Sequence, residues 1–132
     1  MKQVFHSSIE IRFADLDAYG HVNNAVYFTY LESARTKAFS AKFIDFMNAG
    51  LFFVVARAEC DYKKPILLED ETVEIDFTIQ SLGRTSFEVV YDLKGKQGQL
   101  FAKAKTVMVA LDAKKGGPVA IPESIRVGLL GE

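Results

Sequence analysis

"DLDAYGHVNNAVYFTYLESAR", residues 15–35, sets two aspartates, a glycine, a histidine and two asparagines directly ahead of a run with helical spacing. Tyr27, Tyr30, Leu31, Ala34, Ala38 and Phe39 recur at three- and four-residue intervals, so one face of that run is apolar. Glu32, Arg35, Lys37 and Lys42 occupy the other face. Neither proline nor glycine interrupts it from Asn24 to about Met47, and "NAG" at 48–50 supplies a stop with Gly50 as the left-handed residue. The spacing therefore predicts one long helix. "ADLDAYGHV" before it reads as a loop, because Asp and Gly tolerate turn geometry and break the pattern on their N-terminal side.

That earlier pattern is a strand: Phe5, Ile9, Ile11 and Phe13 alternate with His6, Ser8, Glu10 and Arg12. On the far side of the helix, residues 52–64, 70–82, 85–94 and 98–112 read as four more strands, with Val73, Ile75, Phe77 and Ile79 as a clear alternating set. The connections "SLGR" and "KGKQG" are short and contain glycine, which suits hairpins and antiparallel pairing. The tail "IPESI" reads as a single helical turn with Pro122 near its start. One strand, one helix and four strands make an α+β fold, a five-stranded antiparallel sheet wrapped around one long central helix. A single helix covers one face only. Val107, Val109 and Leu111 beside Ala104, Met108 and Ala110 therefore suggest cover on the second face too, by dimerisation or by crossing termini.

The 132 residues suit one core and are read as a single domain, 1–132. Lys and Arg are dispersed and the net charge is −1, so bulk electrostatics gives nucleic acid no footing. No run approaches the roughly 20 apolar residues a membrane helix needs, and "MKQVFHSSIEIRF" lacks the apolar block of a signal peptide. A cytoplasmic location with no membrane partner is the expectation. Cys60 is the single cysteine and the two histidines are far apart in sequence, so neither a disulfide nor a protein metal site is expected. An EF-hand loop fails because the twelfth position from Asp15 is Val26 rather than Glu. Neither a G-x-S-x-G elbow nor a phosphate-loop glycine pattern occurs, and Cys60, within a strand, reads as a structural thiol.

An aspartate loop that runs into a helix aims the unpaired N–H groups of the first turn at whatever lies in front of them. Such an end can hold a carbonyl oxygen that becomes negative during attack, and a neighbouring carboxylate can act as nucleophile or base. Asn23 fits the cap position and leaves the N–H of Asn24 free, while Gly20 allows a sharp turn and close approach of the backbone to a ligand. Capping accounts for one or two of these residues. It does not account for Asp15, Asp17, His21, Asn23 and Asn24 within ten positions.

The stretch "RFADLDAYGHVNNAVYFTYLESAR" resembles the signature of hotdog-fold acyl-CoA thioesterases of the 4-hydroxybenzoyl-CoA thioesterase type, Asp-x-Asp-x-x-Gly-x-Val followed by an aromatic-bearing helix. Asp15, Asp17, Gly20, Val22, Tyr27, Tyr30, Glu32 and Arg35 fall in register, and "YKKPILLEDETVEI" and "LGRTSFEVVYDL" resemble later strand segments of the family. The resemblance implies a hotdog fold and hydrolysis of an acyl-CoA to free acid and coenzyme A. Coenzyme A is then part of the substrate, and no separate cofactor is implied. It places the catalytic carboxylate on Asp17 and the carbonyl-polarising N–H on Asn24. It also implies a homodimer or homotetramer with sites between subunits. One subgroup carries a histidine where this chain has Asn24, so the resemblance does not extend to a histidine-assisted mechanism.

Gly20, His21, Val22, Asn23 and Tyr27 are the expected substrate-binding residues around that centre, and Lys63, Lys64 and Arg84 at strand ends are candidates for the phosphates of coenzyme A. Two rivals remain open: a thioesterase acting on acyl carrier protein, and a non-catalytic acyl-CoA binding module. Hydratase activity is disfavoured, since the Asp-to-His spacing of hotdog hydratases is not found.

Overall fold

Alternation along the chain becomes alternation across a sheet. In the computed structural model, which describes residues 3–130, β1 (Phe5–Glu10) turns Phe5 and Ile9 inward and His6, Ser8 and Glu10 outward. Then come α1 (Val26–Phe39), α2 (Ile44–Asn48), β2 (Leu51–Tyr62), β3 (Thr72–Leu82), β4 (Ser86–Lys94), β5 (Leu100–Asp112) and α3 (Glu123–Leu130). All pairings are antiparallel, in the order β1-β3-β4-β5-β2. The sheet curves around α1, whose Leu31 and Ala34 have no exposed surface, giving the hotdog arrangement. Full burial of a leucine alone contributes about 1.5–3 kcal/mol. No helix among the described residues is long and apolar enough to cross a membrane.

The sequence expectation needs correction at four places. The first strand stops at Glu10, and Phe13 stands 80% exposed in a 3-10 turn over Phe13–Asp15, because Asp15 captures Arg12 and bends the chain. The expected single helix from Asn24 to Met47 is two: α1 begins at Val26 and a turn at residues 40–43 separates it from α2. That turn carries Phe46 onto Phe53 of β2, the rings stacked at 4.7 Å, while Phe43 stacks on Phe39 at 5.0 Å. The tail is a helix of eight residues rather than one turn, with Ile125 and Leu129 buried one turn apart. Gly128 hid it in the sequence. A Cβ there would stand 3.1 Å from Phe43 Cε1, so the bare glycine lets α3 lie close against the turn that joins α1 to α2. Finally, α3 packs on Phe43, on the helix side, and not over the sheet's second face, which carries pairs such as Lys94 with Asp76 (2.7 Å) and Lys103 with Asp92 (2.9 Å) beside the half-buried Val107, Val109 and Leu111. The expected stop does hold: Gly50 has φ +83°.

Two features position the site. The sheet has two distinct ends: Glu10, Thr72, Ala102 and Tyr62 mark one, and Leu82, Ser86, Asp112 and Leu51 the other. The second feature is β2, an edge strand that pairs only with β5 and is irregular between Val55 and Arg57. Phe52, Val55 and Tyr62 of β2 are all exposed.

Candidate active site

Asp15 and Asp17 are separated by one residue and held in opposite ways. Asp15 is buried, and its carboxylate accepts from the Arg12 backbone N–H (2.9 Å), Arg12 Nε and Nη2 (3.1 and 2.8 Å) and the Tyr30 hydroxyl (2.7 Å). Its carbonyl accepts the Asn23 N–H at 2.9 Å. Burial alone would raise the Asp15 carboxyl, but the bonds from Arg12 and Tyr30 outweigh it and hold the group below the usual carboxylate range. For Tyr30, burial and then Asp15 push the phenol well up. Asp15 is thus a strut tying the end of β1 to α1, with no oxygen left for chemistry.

Asp17 is half-buried at the head of a tight loop. Its Oδ1 accepts the N–H groups of Tyr19 (2.9 Å) and His21 (3.2 Å), and among the described residues Oδ2 has no partner. The loop closes by Asp17 N–H to His21 O (2.8 Å) and Gly20 N–H to Asp17 O (3.1 Å), with Gly20 at φ +80°, a conformation that glycine adopts without the Cβ penalty. Bridges Leu16 to Val22 and His21 to Leu67 clamp its base. The His21 ring makes no hydrogen bond among the described residues. Val22 lies in the core, its N–H bonded to Ile66 O at 2.8 Å.

The chain then enters α1 through a turn. Asn23 Oδ1 accepts the Ala25 N–H (2.9 Å), and Asn23 O accepts the Val26 N–H (2.9 Å). This leaves the Asn24 N–H without a partner among the described residues, at the positive end of a fourteen-residue helix. Sequence reasoning missed Tyr62. From the end of β2 its hydroxyl donates to Asn24 O (3.0 Å) and its ring meets Tyr27 edge-on at 4.8 Å, fixing the helix start against the sheet. An aromatic closing a strand was the only signal for it. Tyr27 is itself buried, and burial pushes its phenol up to about 12.

Lys63 and Lys64 follow Tyr62 directly, both exposed, with their N–H groups on Phe101 O (2.8 and 3.0 Å). They share the Asp17 end of the sheet. Arg84 does not: it sits in the β3–β4 turn, and at about 3.3 Å per residue the eleven residues of β3 span ~35 Å. Within one chain Arg84 and Asp17 belong to different ends. Cys60 lies half-buried in β2, and burial pushes its thiol up, which keeps it protonated and inert.

Beside the helix start a trough opens between α1 and β2. Phe46, stacked on Phe53, walls its far end. Its middle, a cavity of about 270 Å³, is lined by Phe28, Glu32, Arg35, Val55, Ala58 and Thr106. It continues past Glu32 and Arg35 into a second cavity of about 320 Å³ walled by Phe39, Phe43, Phe46 and Phe53.

A loop that leaves one carboxylate oxygen unengaged, followed seven residues on by a helix-start N–H without a partner among the described residues, has the groups that acyl-transfer chemistry uses. Comparison with known proteins agrees. Residues 11–129 match the model of the thioesterase-like superfamily. The long-chain acyl-CoA thioesterase FadM of Escherichia coli K12 is 32% identical over 124 residues, covering 91% of this chain and 92% of that protein. The acyl-CoA thioester hydrolase YbgC of Escherichia coli O6:H1 is 30% identical over 127 residues, covering 92% of each. Among solved structures, a thioesterase from Thermus thermophilus complexed with coenzyme A and Zn superposes with a TM-score of 0.82 at 39% identity, over 94% of this chain and 90% of that one. On fold, site and relatives together, the chain belongs to the thioesterase-like superfamily and is a hotdog-fold thioester hydrolase.

Proposed function

We propose that the chain hydrolyses acyl-CoA thioesters to free acid and coenzyme A, with Asp17 as the reacting carboxylate and the Asn24 N–H as donor to the thioester oxygen. The observation that carries this reading is the contrast within one loop: Asp15 has both carboxylate oxygens engaged, whereas Asp17 Oδ2 and the Asn24 N–H have no partner among the described residues. Attack at the carbonyl carbon puts negative charge on its oxygen, where the N–H and the helix dipole stabilise it. Asp17 either takes the proton of the attacking water or attacks itself, giving an acyl-aspartyl anhydride that water then cleaves. In both routes the C–S bond breaks and coenzyme A leaves as thiolate. No cofactor is required.

In this reading Lys63 and Lys64, exposed at the same end of the sheet as Asp17, meet the phosphates. The unpaired edge of β2 favours an antiparallel homodimer, since an exposed edge is a template for a second copy. Antiparallel pairing there turns the Arg84 end of one copy toward the Asp17 end of the other, so Arg84 serves coenzyme A only across the interface.

The test is release of free thiol from a panel of short, long, branched and aromatic acyl-CoAs, and from the same acyl groups on acyl carrier protein. Asp17→Asn should lower turnover roughly 10²–10⁴-fold with unchanged circular dichroism. Near wild-type hydrolysis by that variant overturns the assignment. Preference for the carrier protein would shift the substrate class, and thioester binding without release by the wild type would leave a binding module.

A further inference from the structure

We propose that two copies of this chain recognise each other through reciprocal Glu32–Arg35 ion pairs across a two-fold axis beside the middle of β2. Glu32 and Arg35 are three residues apart on α1, where opposite charges ordinarily pair along the helix surface. Here they do not. Among the described residues Glu32 has no hydrogen bond or ion pair, and Arg35 has no carboxylate partner. Instead Arg35 is anchored inward: Nη1 donates to the Tyr91 hydroxyl at 3.1 Å, and that hydroxyl lies 2.7 Å from Thr106 Oγ1. One N–H of the guanidinium fork fixes its position, and the remaining donors are left to face the trough that both side chains line.

β2 says which partner faces them. It has twelve residues with one edge unpaired, and its midpoint falls between Ala56 and Arg57. Pairing over its full length with an antiparallel copy centres the two-fold axis at that midpoint. Val55 and Ala58 bracket the midpoint, and both line the trough together with Glu32 and Arg35. The axis therefore passes alongside these two helix positions. An isologous contact brings residue i of one copy to residue j of the other and j to i. Two charges of opposite sign that flank the axis are then self-complementary: Glu32 of each copy meets Arg35 of the other. The other charges near the midpoint, Arg57 and Glu59, form a loose ion pair of 4.0 Å within one chain.

The inference rests on the homodimer in the proposed function, but it is read by mass rather than by hydrolysis, so its failure leaves the Asp17 assignment standing. The full chain and its variants are compared by sedimentation equilibrium over a dilution series. Glu32→Arg places two like charges at each contact and should weaken the dimer roughly a hundredfold or more, with partial recovery in high salt. Arg35→Glu should do the same. The double variant Glu32→Arg with Arg35→Glu should restore the dimer, and an equimolar mixture of the two single variants should form heterodimers in preference to either homodimer. If Arg35→Glu does not fold once Tyr91 loses its donor, Glu32→Arg and its recovery in salt decide the matter, because Glu32 makes no contact the fold needs. A monomeric wild type overturns both the dimer and the pairing. A dimer indifferent to Glu32→Arg, or one that the charge swap fails to restore, overturns the pairing alone.

Discussion

At the scale of single residues, two aspartates of the same intrinsic acidity are held in opposite ways by what surrounds them. Asp15 spends its carboxylate on Arg12 and Tyr30 in the core, and Asp17 keeps an oxygen open at a loop. Removing the Asp15 acceptor strands the buried Tyr30 hydroxyl, so Asp15→Ala should lower unfolding free energy by about 2–3 kcal/mol, read as a drop in the urea midpoint. Activity per folded molecule should stay near wild type in Asp15→Asn. The same strut sets an acid limit. With its carboxyl depressed in the fold, Asp15 contributes stability above its unfolded pKa and loses it as pH falls through the folded value. Asp15→Asn should therefore flatten the acid side of the stability profile, and an unchanged slope would contradict the role. The loop was readable from its spacing, because Gly20 and the acid pair mark a turn on their own. Asp15's role was not, since Tyr30 comes fifteen residues later and only the folded chain brings it near.

At the scale of elements, strands were legible and helix ends were not. Period-two alternation on β3 and β4 maps one-to-one onto burial, because each of those strands has one face on the core. The break between α1 and α2 carries no proline or glycine. It exists because Phe43 and Phe46 gain more by stacking on Phe39 and Phe53 than by continuing one axis, and β2 is a tertiary neighbour that helical periodicity does not see. Gly128 misled for the opposite reason, since glycine usually weakens a helix, yet here it admits Phe43. Its replacement is informative. Gly128→Ala should be close to neutral, as roughly 1 kcal/mol of helix propensity is set against a methyl group 3.1 Å from Phe43 Cε1. Gly128→Leu should cost about 1–3 kcal/mol by prising α3 away, and proteolysis within residues 113–130 should speed up in step with it. A fully stable Gly128→Leu variant would show that α3 does not depend on that contact.

At the scale of the whole molecule, the sheet's two faces divide the labour. The inner face holds α1 and the trough; the outer face carries a lattice of charges toward the Asp17 end and the apolar Val107, Val109 and Leu111 toward the other. Which end of the sheet each basic residue occupies follows from strand order. Arg84, grouped by sequence with Lys63 and Lys64 as a strand-end base, therefore lies about 35 Å from their end within a chain, by the length of β3. The outer lattice also predicts how stability depends on pH. His6 Nδ1 lies 2.6 Å from Asp76 Oδ1, Lys94 Nζ 2.7 Å from Asp76 Oδ2, and Ser8 Oγ donates to Glu74 at 2.6 Å, so β1 is fastened to β3 through a histidine and two carboxylates. The hydrogen bond that His6 donates to Asp76 raises its pKa above the usual 6.5, against a smaller opposing effect of burial. Asp76 is lowered, first by Lys94. A raised histidine contributes stability that is complete below its unfolded pKa and disappears as pH rises through the folded value. The carboxylates behave in the opposite sense and keep their contribution until pH falls through their own depressed values. The β1–β3 fastening is therefore strongest between these limits, and the wild type should lose stability from just above pH 6.5 upward. His6→Gln removes the titrating group, so its urea midpoint should change less than that of the wild type between about pH 6 and pH 9, and its fall at the acid end should be shallower, because His6 also helps to lower Asp76 and Glu74. Parallel profiles across that range would mean that His6 stays neutral on β1 and that Lys94 alone holds Asp76.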